Sequence, residues 1–216
     1  MSLAVADTWV ERLGRGAEQL GLRLSASQLA TLTQYLEGLL KWNRAYNLTA
    51  IRDPGEMVVK HLLDSLAIVP LLTGERLLDV GTGAGLPGIP AAICDPRRHW
   101  TLIDSNGKKT RFLLQMKSEL ALTNLEVLKG RVESLSPRQP FEAITSRAFS
   151  TLRDFVSVCL PLLSGSGSLL AMKGQVPETE VAELRDQGLA VRVQALDVPY
   201  LHEERHLIVV QRRTNG

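Results

Sequence analysis

The sequence is poor in the residues that covalent or metal chemistry requires. It holds two cysteines, Cys94 and Cys159, each set among apolar neighbours. They read as small buried hydrophobes in a reducing compartment rather than as a disulfide or a nucleophile. Four histidines are scattered without the spacing of a metal site, and no paired carboxylates suggest a catalytic metal, so none is expected. No apolar run reaches the roughly 20 residues of a membrane span. The amino terminus, with Asp7 and Glu11 among its apolar residues, lacks the basic-then-apolar pattern of an export signal. A cytoplasmic protein with no membrane partner is therefore expected. A net charge of +2 neither demands nor excludes a nucleic-acid partner. Internal repeats and low-complexity segments are absent. At 216 residues, 44% hydrophobic and 22% charged, the chain suits one well-buried domain plus an extension.

What is present centres on residues 76–93. Leu77, Leu78 and Val80 form an apolar run typical of a buried strand, cut off at once by Gly81, Gly83 and Gly85, with Gly88 just beyond. Ile89, Ala91, Ala92 and Ile93 then open a helix in which Pro87 and Pro90 are tolerable, because first-turn N–H groups have no helical partner. Strand, glycine turn and helix bring backbone close to a nucleotide-like ligand. Gly83, Gly85 and Gly88 spell GxGxxG, and Asp104 follows about twenty residues on, so the dinucleotide pattern is formally met. Asp79, two residues before Gly81, favours a different ligand. A strand-end carboxylate repels a pyrophosphate but attracts the sulfonium and ammonium of S-adenosylmethionine, which places that methyl donor ahead of NAD.

Residues 1–72 read as a helical extension. Trp9, Leu13, Ala17 and Leu20 recur at helical spacing and Gly21 is a stop. Ser25 or Ser27 can cap a second helix carrying Leu29, Leu32, Leu36, Leu39 and Leu40, and residues 53–56 turn into another helix. His61 and Asp64 interrupt an apolar stripe. They are either solvated or capping groups, or, with Asn47, the edge of a cleft. Residues 73–216 alternate strands and helices, with strands expected at 77–80, 100–104, 125–128, 141–145, 168–174, 189–196 and 206–211. The glycines at 165 and 167 read as a turn before the fifth strand, and the last two strands as a hairpin. The fold class is α/β, a Rossmann-like, mostly parallel sheet of seven strands.

In such sheets ligands sit at the carboxyl ends of the strands. Asp104, ending the second strand, suits two ribose hydroxyls; the backbone at Val132 with Glu133 suits an adenine edge; Arg147 follows the fourth strand. No Asn- or Asp-Pro-Pro-aromatic motif of base amino-group methylation follows that strand, where Ser146-Arg147-Ala148-Phe149 stand. No cysteine sits at a strand end to activate a pyrimidine carbon. The acceptor that remains is one needing neither covalent activation nor a metal, such as a purine ring nitrogen. Lys108, Lys109, Arg111, Lys129, Arg131, Arg147, Arg153 and Lys173 line the same region, and Arg147 and Lys173, just past strand ends, could grip phosphates or a guanine edge.

Residues 47–51, residues 61–66, the 77–90 run, Ser146-Arg147-Ala148 and Lys173-Gly174 together closely resemble the RsmG family, once called glucose-inhibited division protein B. The resemblance covers nearly the whole chain. It implies a class I S-adenosylmethionine-dependent methyltransferase fold with an N-terminal helical extension. It further implies transfer of a methyl group from S-adenosylmethionine to ring nitrogen 7 of one guanine in the bacterial 16S rRNA of the small ribosomal subunit. By position it implies donor binding by Gly81, Leu86, Val132, Glu133 and Arg147; the residue-level reading adds Gly83 and Asp104, and makes Arg147 the candidate catalytic residue. Glu142 stands where Asp is more usual. A monomer is expected. A small-molecule methyltransferase and a non-catalytic donor-binding regulator are the alternatives.

Overall fold

A computed structural model describes residues 3–147, 149 and 151–213. The amino-terminal helices are α1 (Leu3–Gln19) and α2 (Ala26–Tyr46). Gly21 ends the first region at φ +76°, and Ser25 caps α2 through a reciprocal capping box with Gln28. Asp53 caps α3 (Pro54–Met57), which runs on through a π-helical turn (Val58–Leu63) into α4 (Asp64–Leu66).

The sheet follows: β1 (Arg76–Val80), β2 (His99–Asp104), β3 (Leu125–Lys129), β4 (Phe141–Ser146), β5 (Leu163–Lys173), β6 (Leu189–Ala195) and β7 (His206–Arg212). Their order is β3-β2-β1-β4-β5-β7-β6; β1 to β5 pair in parallel, while β7 runs antiparallel to both β5 and β6. Strand order therefore reverses between β1 and β4, and the carboxyl ends of those strands form the crevice where ligands bind in open α/β sheets. Alternation along β1 divides it between two cores. Leu77 joins a cluster with Trp9, Leu36, Leu63, Leu102 and Phe112, and Leu78 and Val80 join one with Ile144, Phe155 and Leu169. The first core is closed by α2 together with α5 (Gly88–Cys94) and α6 (Gly107–Glu119). The second lies under α7 (Leu152–Cys159) and α8 (Glu178–Asp186).

Two expectations change. The fifth strand begins at Leu163, not Ser168, and its glycines lie inside it. Register jumps from Phe141–Leu163 to Ala143–Ser168, and a Cβ on Gly167 would approach the Glu142 carbonyl oxygen to 2.8 Å, so bare backbone is what lets this bulge lie against β4. His61 and Asp64 are neither solvated nor capping groups: both are buried.

Candidate active site

The loop after β1 takes its shape from residues able to adopt left-handed backbone: Gly81, Gly83 and Gly85 have φ of 65°, 63° and 93°. Two carboxylates pin it. Asp79 Oδ2 accepts hydrogen bonds from Thr82 Oγ1 (2.6 Å) and from the Gly88 N–H (3.0 Å). Asp104 Oδ2 accepts the Gly83 N–H (2.9 Å) and Oδ1 that of Asn106 (2.8 Å). From the extension, the buried Tyr35 hydroxyl donates to the Ala84 carbonyl (2.7 Å). Gly88 must be glycine for this closure, since a Cβ there would lie 2.9 Å from Asp79 Oδ2 and 2.7 Å from Leu102.

The geometry corrects the role read for Asp79. Its carboxyl is fully buried and folds the loop onto itself instead of facing a ligand cation; burial pushes its pKa up to about 6, and Oδ1 has no hydrogen-bond partner. The acids that border open space are Asp104, nearly buried, and the exposed Glu133. A cavity of about 410 Å³ at the strand ends is lined by Gly81, Asp104, Lys109, Val132, Glu133 and Phe149, among others. Four of the expected site residues thus meet on one cavity. Gly83 stands beside it, and a Cβ there would meet nothing closer than Lys109 Nζ at 3.8 Å. Leu86 is buried within the loop, and Arg147 lies off the cavity. A larger cavity, about 600 Å³, sits at the opposite end of the sheet, touching the first residues of β1 to β4, where neither the glycine loop nor the strand-end acids reach.

Arg147 is held from the extension. Its Nη1 donates to Asp64 Oδ2 (2.9 Å) and to the Lys60 carbonyl (3.3 Å), and Arg205 Nε donates to Asp64 Oδ1 (3.1 Å). Burial raises the Asp64 carboxyl above its ordinary range, and the two guanidiniums offset only part of that rise. His61 Nδ1 faces the Lys60 carbonyl (3.0 Å), which can only accept, so the partners assign the proton to Nδ1 and leave Nε2 to accept from Thr49 Oγ1 (2.9 Å). Burial, reinforced by Arg147, lowers the His61 pKa to about 4, so the imidazole is neutral. Lys173 does not stand free at its strand end: its Nζ donates to the Phe149 carbonyl (2.7 Å), steadying the cavity wall. Arg153 pairs with Glu183. Ala148 of the Ser146-Arg147-Ala148 motif lies outside the described residues.

Tyr35, Thr82 and Arg205 escaped the sequence reading. Tyr35 sits on the apolar stripe of α2, where an aromatic reads as core, and Arg205 precedes the last strand with nothing near it in sequence that points to Asp64. Neither cysteine lines the cavity, and burial pushes both thiols up, Cys94 to about 11 and Cys159 to about 12.

Comparison with known proteins agrees with this geometry. Residues 28–209 match the family model described as rRNA small subunit methyltransferase G. A ribosomal RNA small subunit methyltransferase G from Marinomonas sp. (strain MWYL1) is 48% identical over 206 residues, covering 95% of this chain and 99% of the relative. One from Ectopseudomonas mendocina is 50% identical over 212 residues, covering 97% and 99%. Among solved structures, a SAM-dependent methyltransferase from Thiobacillus denitrificans in complex with S-adenosyl-L-homocysteine has the same fold, with a TM-score of 0.53 at 14% identity over 70% of this chain and 91% of that one. The seven-stranded order, the glycine loop at its switch point and this near-full-length identity agree: the chain belongs to the rRNA small subunit methyltransferase G family.

Proposed function

We propose that the protein transfers a methyl group from S-adenosylmethionine to ring nitrogen 7 of a guanine in the 16S rRNA of the small ribosomal subunit. It would act as a cytoplasmic monomer whose helical extension (1–72) shares its core with the methyltransferase domain (73–216). The observation that carries this reading is the cavity at the switch point, where Gly81, Asp104, Val132 and Glu133 converge. Its volume of about 410 Å³ falls in the range of roughly 300–1,000 Å³ usual for small-ligand sites.

The residues present fit the donor. Each Asp104 oxygen already accepts one backbone N–H and keeps a lone pair for a ribose hydroxyl. Val132 and Glu133 supply backbone and carboxylate for an adenine edge, and the open space at Gly83 leaves room beside the loop. Gly81, Leu86 and Arg147 complete the proposed set. When bound, the donor supplies an electrophilic methyl group. A guanine ring nitrogen 7 carries its own lone pair and no proton, so the chain has to position the acceptor and exclude water, not supply a base. Lys109 on the cavity wall, with Lys108, Arg111, Lys129 and Arg131 nearby in sequence, offers cations to the RNA phosphates.

The test is methyl transfer from labelled S-adenosylmethionine to small subunits from cells lacking this protein, with the label mapped to its nucleotide. One 7-methylguanine in 16S rRNA is expected. Donor binding without label in 16S rRNA would overturn the proposal and leave a metabolite substrate or a regulatory role.

A further inference from the structure

The π-helical turn has a specific effect on one carbonyl. In a regular α-helix the Asp64 N–H would bond to the Lys60 carbonyl. Here it bonds to the Val59 and His61 carbonyls. The Lys60 oxygen instead accepts from Arg147 Nη1 and His61 Nδ1. About one turn on, the Asp64 side chain, 5% exposed, accepts the same Arg147 Nη1 on one oxygen and Arg205 Nε on the other. Two acceptors from one turn of the extension thus converge on a single guanidinium nitrogen at the end of β4. Among the described residues every hydrogen bond that Arg147 makes uses Nη1. Among the described residues its Nε and Nη2 edge thus has no partner and is open to a planar, two-pronged contact, and the side chain is 26% exposed.

We propose that Asp64 and the Lys60 carbonyl are positioning groups for Arg147: they hold it by one nitrogen so that its opposite edge is presented to the donor, and the helical extension thereby sets donor affinity. This rests on the assignment of Arg147 to the donor site above. An arginine tethered only by its own four-bond stem would have to be ordered on binding, and that ordering opposes affinity. A buried carboxylate with a fixed carbonyl beside it removes the need. Arg205 completes the arrangement by occupying the second Asp64 oxygen, so that the buried carboxylate is satisfied without drawing Arg147 inward. The polar pair His61 and Asp64 inside an apolar stripe has the same explanation: His61 Nδ1 donates to the redirected carbonyl, and Asp64 accepts from the same Arg147 nitrogen as that carbonyl.

The experiment is calorimetric titration with S-adenosylhomocysteine of the full chain and of its Asp64→Asn, Asp64→Glu and Arg147→Ala variants, with Asp64→Asn also made in the Arg147→Ala background. Thermal melts are run alongside. Asp64→Asn is expected to raise the dissociation constant about tenfold. In the Arg147→Ala background the same substitution should change it less than about twofold, because the group being positioned is gone. A purely structural role for Asp64 would lower the melting temperature and the binding stoichiometry while leaving the dissociation constant of the folded fraction unmoved. Asp64→Glu keeps the charge and is expected to fall between wild type and Asp64→Asn, so it carries the test should Asp64→Asn fail to fold. Equal effects of Asp64→Asn with and without Arg147, or a wild-type constant in Asp64→Glu where Asp64→Asn is unfolded, would overturn the positioning role while leaving Arg147 in the site. A wild-type constant in Arg147→Ala would instead remove Arg147 from the donor site, and this proposal with it.

Discussion

At the scale of single residues, two buried titratable groups pull stability in opposite directions as pH changes. Asp79 has its pKa raised from 3.8 to about 6, so the folded state holds its proton more tightly than the unfolded chain. Its contribution is complete below about pH 3.8 and is lost as pH rises through about 6. His61 is lowered from 6.5 to about 4; its contribution is complete above about pH 6.5 and is lost as pH falls through about 4. At roughly 1.4 kcal/mol per pH unit each amounts to about 3 kcal/mol, and between pH 4 and 6 they offset one another. Removing one exposes the other. Asp79→Asn should give a protein whose unfolding free energy falls more steeply than wild type on acidification from pH 6.5 to 4. His61→Gln should give one whose stability rises relative to wild type over the same interval. Urea unfolding at half-unit pH steps reads both slopes, and parallel curves for wild type and either variant would refute that group's part. Asp79 also shows where sequence reading stops. An acid two residues before a glycine loop looks the same whether it faces a ligand or the loop. Only the return of Thr82 and Gly88 onto its Oδ2 decides which.

At the scale of elements, the glycine loop separates architecture from ligand space. A Cβ on Gly88 would press against Asp79 Oδ2 and Leu102, so Gly88→Ala should cost about 1–3 kcal/mol as overpacking. Gly83→Ala meets open space and carries only the left-handed backbone cost of about 1 kcal/mol. It should melt within a few degrees of wild type yet bind the donor at least tenfold more weakly, the reverse of the Gly88→Ala balance. Melting temperature measured beside calorimetric affinity distinguishes the two patterns. Helix α2 enters the same loop through Tyr35. Tyr35→Phe leaves the Ala84 carbonyl unsatisfied in a buried place, at about 1–3 kcal/mol, and should loosen donor binding several-fold. Most elements were legible from periodicity. The stripe from Trp9 to Leu20, the leucines of α2 and the short apolar runs at β1 to β4 announce themselves because burial on one face, or on both, imposes the spacing. The π-helical turn was not legible, because a segment of six residues is too short to set up a period of its own. Its trace was the buried polar pair His61 and Asp64. Glu142 is a departure with a local cause: its carboxylate accepts the Glu75 and Arg76 N–H groups at the entry to β1, reaching over Gly74.

At the scale of the molecule, the boundary near residue 72 that composition suggests is a change of pattern and not a gap in packing. The core that contains Leu77, Leu102 and Phe112 also contains Trp9, Leu13, Leu36 and Leu63, so the helical segment and the sheet bury one another. Polar ties cross the same boundary: Gln28 Nε2 donates to the Ile93 and Cys94 carbonyls, Lys60 pairs with Glu203, and Arg205 pairs with Asp64. A chain beginning at residue 73 would present Ile89, Phe112, Leu113 and Met116 to water, residues that are now at most 1% exposed. Each such side chain loses roughly 1.5–3 kcal/mol of burial, and a few of them together match the whole net stability of a typical domain, about 5–15 kcal/mol. Residues 73–216 alone should therefore lack a cooperative melt and near-ultraviolet circular dichroism, bind a hydrophobic dye, and show no donor affinity. Adding residues 1–72 as a separate chain should recover part of both signals, since the buried face is the same whether or not the backbone is continuous. A sharp melt with near-native donor affinity in the truncated chain would contradict this. It would mean that neither Tyr35 on Ala84 nor Asp64 on Arg147 is needed to hold the site, and that the extension serves the substrate instead of the fold.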